Sequence, residues 1–145
     1  MTNETYKIAA VHGRFQPLHK GHIEYILEAK KRCDFLWVGI TQFNISSLVA
    51  TPNDPHRQVL TSNPLTYFER VEIITSSLVD EGILQKDFSC IPFPIETPEY
   101  LINFLPVSTP MFTTICDDWN KHKISLLVEK GYKVEVLFNR DKKSY

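Results

Sequence analysis

A chain of 145 residues that is 43% hydrophobic and 23% charged is one domain long and apolar enough to bury a sizeable core. Its net charge of −1 gives no whole-molecule attraction for nucleic acid, so an anionic ligand must be held by a local site and no nucleic-acid partner is expected. No stretch approaches the ~20 apolar residues of a membrane span, and the opening residues 1–7 lack the apolar core of a signal peptide, so the expected setting is cytoplasmic, with no membrane partner.

In chain order, residues 7–12 (Lys-Ile-Ala-Ala-Val-His) form a short apolar run that reads as a strand. Directly after it comes Gly13-Arg14-Phe15-Gln16-Pro17-Leu18-His19-Lys20-Gly21-His22. Pro17 suits the first turn of a helix whose apolar positions Ile23, Ile26 and Leu27 recur at helical spacing. On that helix His19 and His22 are three apart and share a face, and Gly21 between them permits close backbone approach. The positive end of the helix dipole and the unpaired N–H groups of a first turn point out of the same end, so an anion there meets both rings and main-chain donors.

Residues 35–41 read as a second, continuously apolar strand, 88–92 as a third, 111–116 as a fourth and 133–137 as a fifth. Thr66 and Glu69 make a capping box that opens a helix through about residue 78. Asp118 is expected to cap another that runs to Lys130 and stops at Gly131. A short helix fits residues 98–105, between two prolines. The stretch 43–65, rich in Pro, Asn, Ser and Thr, is a long irregular segment that suits either a lid over bound ligand or a surface insertion. Alternating strands and helices predict an α/β fold, a Rossmann-like five-stranded parallel sheet flanked by helices, with ligands at the carboxyl ends of the strands.

The five glycines lie at 13, 21, 39, 82 and 131, which excludes both a Gly-x-Gly-x-x-Gly fingerprint and a Walker phosphate loop. Cys33, Cys90 and Cys116 are odd in number and widely spaced, each in an apolar setting, and read as buried thiols and not as a metal site or disulfide framework. No metal-ligating cluster is expected.

The His-x-Gly-His loop, with Gly13, Phe15 and Pro17 ahead of it, resembles the nucleotidylyltransferases that carry a Gly-x-Phe-x-Pro-x-His-x-Gly-His loop, and among them the archaeal-type nicotinamide-mononucleotide adenylyltransferases. Residues 62–70 (Ser-Asn-Pro-Leu-Thr-Tyr-Phe-Glu-Arg) are similar to that subgroup's Asn-Pro-Phe-Thr-x-x-Glu-Arg segment, Gly39-Ile40-Thr41-Gln42 to its second-strand exit, and Phe138-Asn139-Arg140 with Ser144-Tyr145 to the run before its final motif. The resemblance implies an enzyme that transfers a nucleoside monophosphate, AMP from ATP in the first instance, to a phosphorylated acceptor such as nicotinamide mononucleotide, releasing pyrophosphate. Mg²⁺ is then expected to bridge the triphosphate oxygens, held mainly by substrate and water.

It also assigns roles. His19, His22 and Arg70 are the expected catalytic residues, with His22 donating near the transferred α-phosphate. Gly13, Arg14, Phe15 and Gly21 are expected to cradle the nucleotide. Arg70 is expected on a solvent-facing helix surface, contacting phosphate. Gln42, Tyr100, Asp117, Asp118 and Trp119 are candidates for the base or acceptor, although Asp118 and Trp119 fit capping and packing equally well. The chain departs from the subgroup in two places: it ends at Tyr145, before a Ser-Gly-Thr-x-Ile-Arg motif that binds the β- and γ-phosphates, and it has no tryptophan between Pro94 and Pro110, where Tyr100 is the substitute. The expectation is therefore one domain over 1–145 without that terminal motif, able to form a homo-oligomer. Two alternatives stay open: a cytidylyltransferase acting on a phosphorylated alcohol, and a noncatalytic nucleotide-binding module.

Overall fold

The computed structural model describes residues 5–43, 64–115 and 117–139. Five parallel strands, β1 (Tyr6–Gly13), β2 (Cys33–Ile40), β3 (Phe88–Pro92), β4 (Met111–Ile115) and β5 (Val134–Asn139), form one sheet in the order β3-β2-β1-β4-β5. Three α-helices cross over between them: α1 (Lys20–Lys30), α2 (Tyr67–Asp80) and α3 (Asp118–Glu129). The third crossover, from β3 to β4, contains a 3-10 helix at Pro98–Asn103 in place of an α-helix. The chain moves outward one way from β1 to β3 and then the other way from β4, so the strand order reverses between β1 and β4, and the crevice beyond the carboxyl ends of those two strands is where such sheets take ligands.

Because successive strand residues face opposite sides, the two faces bury different sets. Ala9 and Val11 of β1 pack with Tyr25, Ile26 and Ala29 of α1 and with Ile74 and Leu78 of α2. Ala10, on the other face, packs with Phe93, Leu101, Met111, Trp119 and Leu127. Tyr25 ties α1 to the sheet, accepting from His12 N at 3.2 Å and donating to the Phe112 carbonyl at 2.5 Å.

Several boundaries differ from the sequence reading, among them the second strand, which runs Cys33–Ile40 in place of the expected 35–41, and the short helix, which ends at Asn103. Pro17 lies before the helix, in a turn entered by a cis Gln16–Pro17 bond, and the first helical residue is Lys20. The cap of α3 is Asp117, whose carboxylate accepts from Asn120 N at 3.0 Å, and Asp118 is the first helical residue, its side chain exposed. The last strand begins at Val134 and runs two residues further than expected, to Asn139. Gly131, at φ +97°, supplies the left-handed turn that stops α3. Cys33 is buried and Cys90 half-buried, and burial pushes both thiols up to about 11, so neither is a ready nucleophile. Residues 1–4, 44–63, Cys116 and 140–145 lie outside the described residues, and with them most of the expected lid segment and the end of the run before the final motif. No described helix is long and apolar enough to cross a membrane.

Gly39 on β2 has no room for a side chain, since a Cβ there would stand 2.4 Å from Cδ1 of Phe93. Phe93 cannot yield easily: its N–H donates to the Ile40 carbonyl at 2.9 Å and its ring stacks on His12 at 4.6 Å. Gly39→Ala is expected to destabilise the fold by about 1–3 kcal/mol through overpacking, read as a lower denaturant midpoint at unchanged slope. A midpoint equal to wild type would show that Phe93 repacks freely.

Candidate active site

The two histidines build the start of α1 out of their own side chains. His19 is the N-cap residue, and its Nδ1 accepts from Gly21 N at 3.0 Å; His22 Nδ1 accepts from His19 N at 3.1 Å. This is a capping box in which both roles usually taken by Ser/Thr and Glu/Gln fall to imidazoles. An Nδ1 that accepts cannot carry a proton, so each ring, when neutral, holds its proton on Nε2 and presents Nε2–H away from the helix backbone. The amides of His19 and Gly21, expected to meet the anion directly, are spent on the rings; the rings pass the donor capacity outward.

The rings stack at 3.6 Å with 25° between their planes, and the Phe15 ring meets His22 edge-on at 5.0 Å. Burial, then the neighbouring His19, Arg14 and Lys123, lower the His22 pKa from 6.5 to about 3. His22 is therefore a neutral donor at neutral pH, set in a locally cationic surround although the chain as a whole is near neutral. Gly21 leaves room for the same stack, because a Cβ there would lie 3.0 Å from Cε1 of His19 and push that ring aside by a few tenths of an ångström.

Arg70 is placed otherwise than expected. It is 1% exposed, and its guanidinium donates to four backbone carbonyls: Nε to Thr66 (3.2 Å), Nη1 to Arg14 (3.0 Å) and Thr41 (2.8 Å), and Nη2 to Gln42 (2.8 Å). The solvent-facing arginine of the sequence reading is thus corrected to a buried clamp between the start of α2 and the exits of β1 and β2. Desolvation lowers its pKa to about 10, which leaves it charged at neutral pH. The clamp holds two non-glycine residues in the left-handed region, Phe15 at φ 51° and Gln42 at φ 47°, each next to or at a carbonyl that Arg70 grips. Thr41 N donating to the Gly13 carbonyl at 2.9 Å closes the same corner.

Of the expected cradle, Gly13 lies where a Cβ would strike the Phe15 ring at 2.8 Å, and Phe15 is buried beneath the histidines. Gln42 is buried, and Trp119 packs in the second core, 5% exposed. Of the two readings open for Trp119, packing is the one its burial in this core matches. Tyr100 lies on the 3-10 helix, exposed. Asp117 caps α3 at the carboxyl end of β4, on the other side of the crevice from His19.

Three residues escaped the sequence reading. Gln16 pairs with the Leu65 backbone like a strand neighbour, Oε1 accepting from N and Nε2 donating to O, both at 2.8 Å, and so ties the histidine loop to the start of α2. His12 is buried against Phe93. Lys123 is buried on α3 within electrostatic reach of His22. The available signal for Lys123 was its spacing: Trp119, Lys123 and Leu127 fall four apart, on the sheet-facing stripe.

The parallel sheet thus carries a dihistidine helix start at its switch point. The cytidylyltransferase-like family model matches residues 10–136, and the chain belongs to that family. It is 37% identical over 133 residues to phosphonoformate cytidylyltransferase of Streptomyces viridochromogenes, covering 92% of this chain and 72% of that protein. It is 35% identical over 137 residues to nicotinamide-nucleotide adenylyltransferase of Saccharolobus solfataricus, covering 90% and 70%. Among solved structures, a bifunctional NMN adenylyltransferase/ADP ribose pyrophosphatase from Francisella tularensis shares the fold with a TM-score of 0.66 at 23% identity, over 92% of this chain and 38% of that one. The chain is a nucleotidyltransferase of the adenylyl- or cytidylyltransferase type.

Two predictions follow from the site geometry. Replacing Arg70 with Met is expected to cost about 3 kcal/mol of stability, because several buried carbonyls lose their donor at once; an unchanged melting temperature would return Arg70 to a surface role. The His22 pKa lies near 3 folded and about 6.5 unfolded, so the stability linked to its neutral form is present above pH 6.5 and is lost as pH falls from there toward 3. Between pH 7 and 5 the loss is on the order of 1–2 kcal/mol. Thermal melts of wild type and His22→Ala should show a smaller acid sensitivity in the variant, and equal sensitivities would contradict the buried neutral ring.

Proposed function

We propose that the chain joins a nucleoside triphosphate to an acceptor bearing a phosphorus oxyanion, with the paired Nε2–H donors of His19 and His22 as the groups that bind the triphosphate at its reacting end. The acceptor oxygen forms a bond to the α-phosphorus, the bond from that phosphorus to the bridging oxygen breaks, and its electron pair leaves with pyrophosphate. No covalent enzyme intermediate is required, so the protein's task is positioning and charge stabilisation.

The neutral His22 imidazole suits this task. Charge migrates during the step from the attacking oxygen to the leaving pyrophosphate, and a fixed donor that does not titrate stabilises it without releasing or taking up a proton. The positive end of α1 adds to the same field. Arg70 acts as a positioning residue, fixing the turn that carries the histidines. A Mg²⁺, where one takes part, would be carried in mainly by triphosphate and water. When bound, such an ion neutralises triphosphate charge.

Two donor–acceptor pairs fit the class. The archaeal relatives' names give adenylyl transfer to a nicotinamide nucleotide, in line with the ATP and nicotinamide mononucleotide pair that the motifs' resemblance implies. The Streptomyces relative's name gives cytidylyl transfer to phosphonoformate. The observation that carries the shared reading is the dihistidine capping box at the β1–β4 switch point. Pyrophosphate release measured with each pair and Mg²⁺ should show turnover with one of them, and His22→Ala should lower it by about 10²-fold or more while a cooperative melt persists. Folded protein with no pyrophosphate release from either pair, or a variant as fast as wild type, would refute the reading.

A further inference from the structure

The two halves of the sheet are joined unevenly at the switch point. Toward β2, the pairing of β1 runs on to its last residue, Gly13↔Ile40. Toward β4, among the described residues, it is confined to Ala10↔Met111, where Ala10 N donates to the Pro110 carbonyl at 2.9 Å. The hydrogen bonds of a parallel ladder are evenly spaced along each strand, so the next rung would run from His12 N to the Phe112 carbonyl. That rung is indirect. Tyr25 of α1 puts its hydroxyl between the two groups, accepting from His12 N at 3.2 Å and donating to the Phe112 carbonyl at 2.5 Å.

The inserted hydroxyl satisfies both backbone groups while it separates the strands. A hydroxyl bonded on both sides sets the N and O about 2 Å further apart than the ~2.9 Å of a direct rung. One residue past Phe112 the register of β4 with β5 also shifts, between Thr113 and Thr114, so β4 leaves the regular ladder on both of its sides near the same height. Burial pushes the Tyr25 phenol well above its ordinary pKa, so the hydroxyl keeps the proton that it donates. Tyr25 follows His22 by three residues on α1, which places the two on one helix face. One helix therefore carries the histidine donors at its start and, a turn further on, the group that parts the strands below them.

We propose that Tyr25 is a positioning residue whose hydroxyl, taken into the β1–β4 ladder in place of a direct rung, holds the carboxyl ends of those strands apart and sets the width of the crevice in which the triphosphate meets His19 and His22. This inference rests on the reading of that crevice as the nucleotide site. Tyr25 touches no reacting atom and acts through the strands. An apolar side chain at position 25 would fill the same core, where Tyr25 packs with Ala9, Val11 and Phe112, but it would leave His12 N and the Phe112 carbonyl buried, too far apart to bond and without the bridge between them. The strands relieve that cost by closing into a direct rung, and the crevice narrows by about 2 Å. Contacts to a phosphate chain held between the two sides do not survive a shift of that size.

Tyr25→Phe removes the hydroxyl and keeps the ring, and two readouts compare it with wild type. Scalar coupling across a hydrogen bond, measured by NMR on isotope-labelled protein, reports whether His12 N donates directly to the Phe112 carbonyl; it is expected to be absent in wild type and to appear in Tyr25→Phe. Calorimetry with ATP and with CTP reports the crevice: whichever nucleotide wild type binds more tightly is expected to bind Tyr25→Phe about tenfold or more weakly, the equivalent of one lost charge-assisted contact, while a cooperative melt persists. A direct coupling in wild type, a folded variant in which none appears, no binding of either nucleotide by wild type, or a lower melting temperature at unchanged affinity would overturn the proposal. If Tyr25→Phe shows no cooperative melt, the wild-type spectra decide alone, through the absent direct coupling and a Tyr25 hydroxyl proton close to the His12 amide. Neither readout uses turnover, so a chain that meets both expectations but releases no pyrophosphate would refute the transferase reading and leave Tyr25 in its role.

Discussion

The site depends on a single buried guanidinium. Arg70 reaches from α2 to the carbonyls of Arg14, Thr41 and Gln42, which lie 56, 29 and 28 residues back along the chain, and so joins the ends of β1 and β2 to that helix. A charged side chain without solvent is costly unless its donors are used, and here every nitrogen finds a carbonyl. The carbonyls gain as well, since strand ends leave acceptors that a sheet cannot satisfy. With both corners fixed, Phe15 and Gln42 can be held at positive φ, and Phe15 turns its ring under His22.

The histidine pair stands on that base. Each ring uses Nδ1 to complete the first turn of α1, and the geometry that caps the helix also leaves the neutral ring's proton on Nε2. Structural and chemical roles are therefore one interaction, and neither ring can gain a proton on Nδ1 without losing the cap. Burial and the cations Arg14 and Lys123 hold His22 to the neutral form. Arg14 and Lys123 bring positive charge within reach of His22 in a chain whose net charge is −1.

The sheet was legible because parallel strands are buried on both faces and read as unbroken apolar runs, as at residues 35–40, and because Thr66 with Glu69 and Gly131 mark helix ends chemically. The histidines were legible through their spacing. Less could be read where a residue's role depends on partners distant in sequence. Arg70 follows a capping box on an amphipathic helix, and nothing local distinguishes a solvent-facing arginine from one that meets carbonyls 28, 29 and 56 residues away. Trp119 after two aspartates suits a stacking role, but its position at the first turn of α3 points it into the core. Asp117 and Asp118 both suit an N-cap, and only backbone angles choose between them: Asp117 is extended and caps. Lys123 and His12 hide in apolar company, where pattern reading takes a polar residue for an interruption.

The central claim is that His22 serves as a neutral donor through Nε2. Nitrogen NMR of the imidazoles in the free protein tests it most directly, because the two nitrogens of a neutral ring have distinct shifts that identify which one bears the proton. The account predicts an unprotonated Nδ1 and a protonated Nε2 for His22 at neutral pH, unchanged on acidification through the range near 6.5 where an ordinary histidine titrates. A proton on Nδ1, or titration of the ring near its ordinary value, would contradict it.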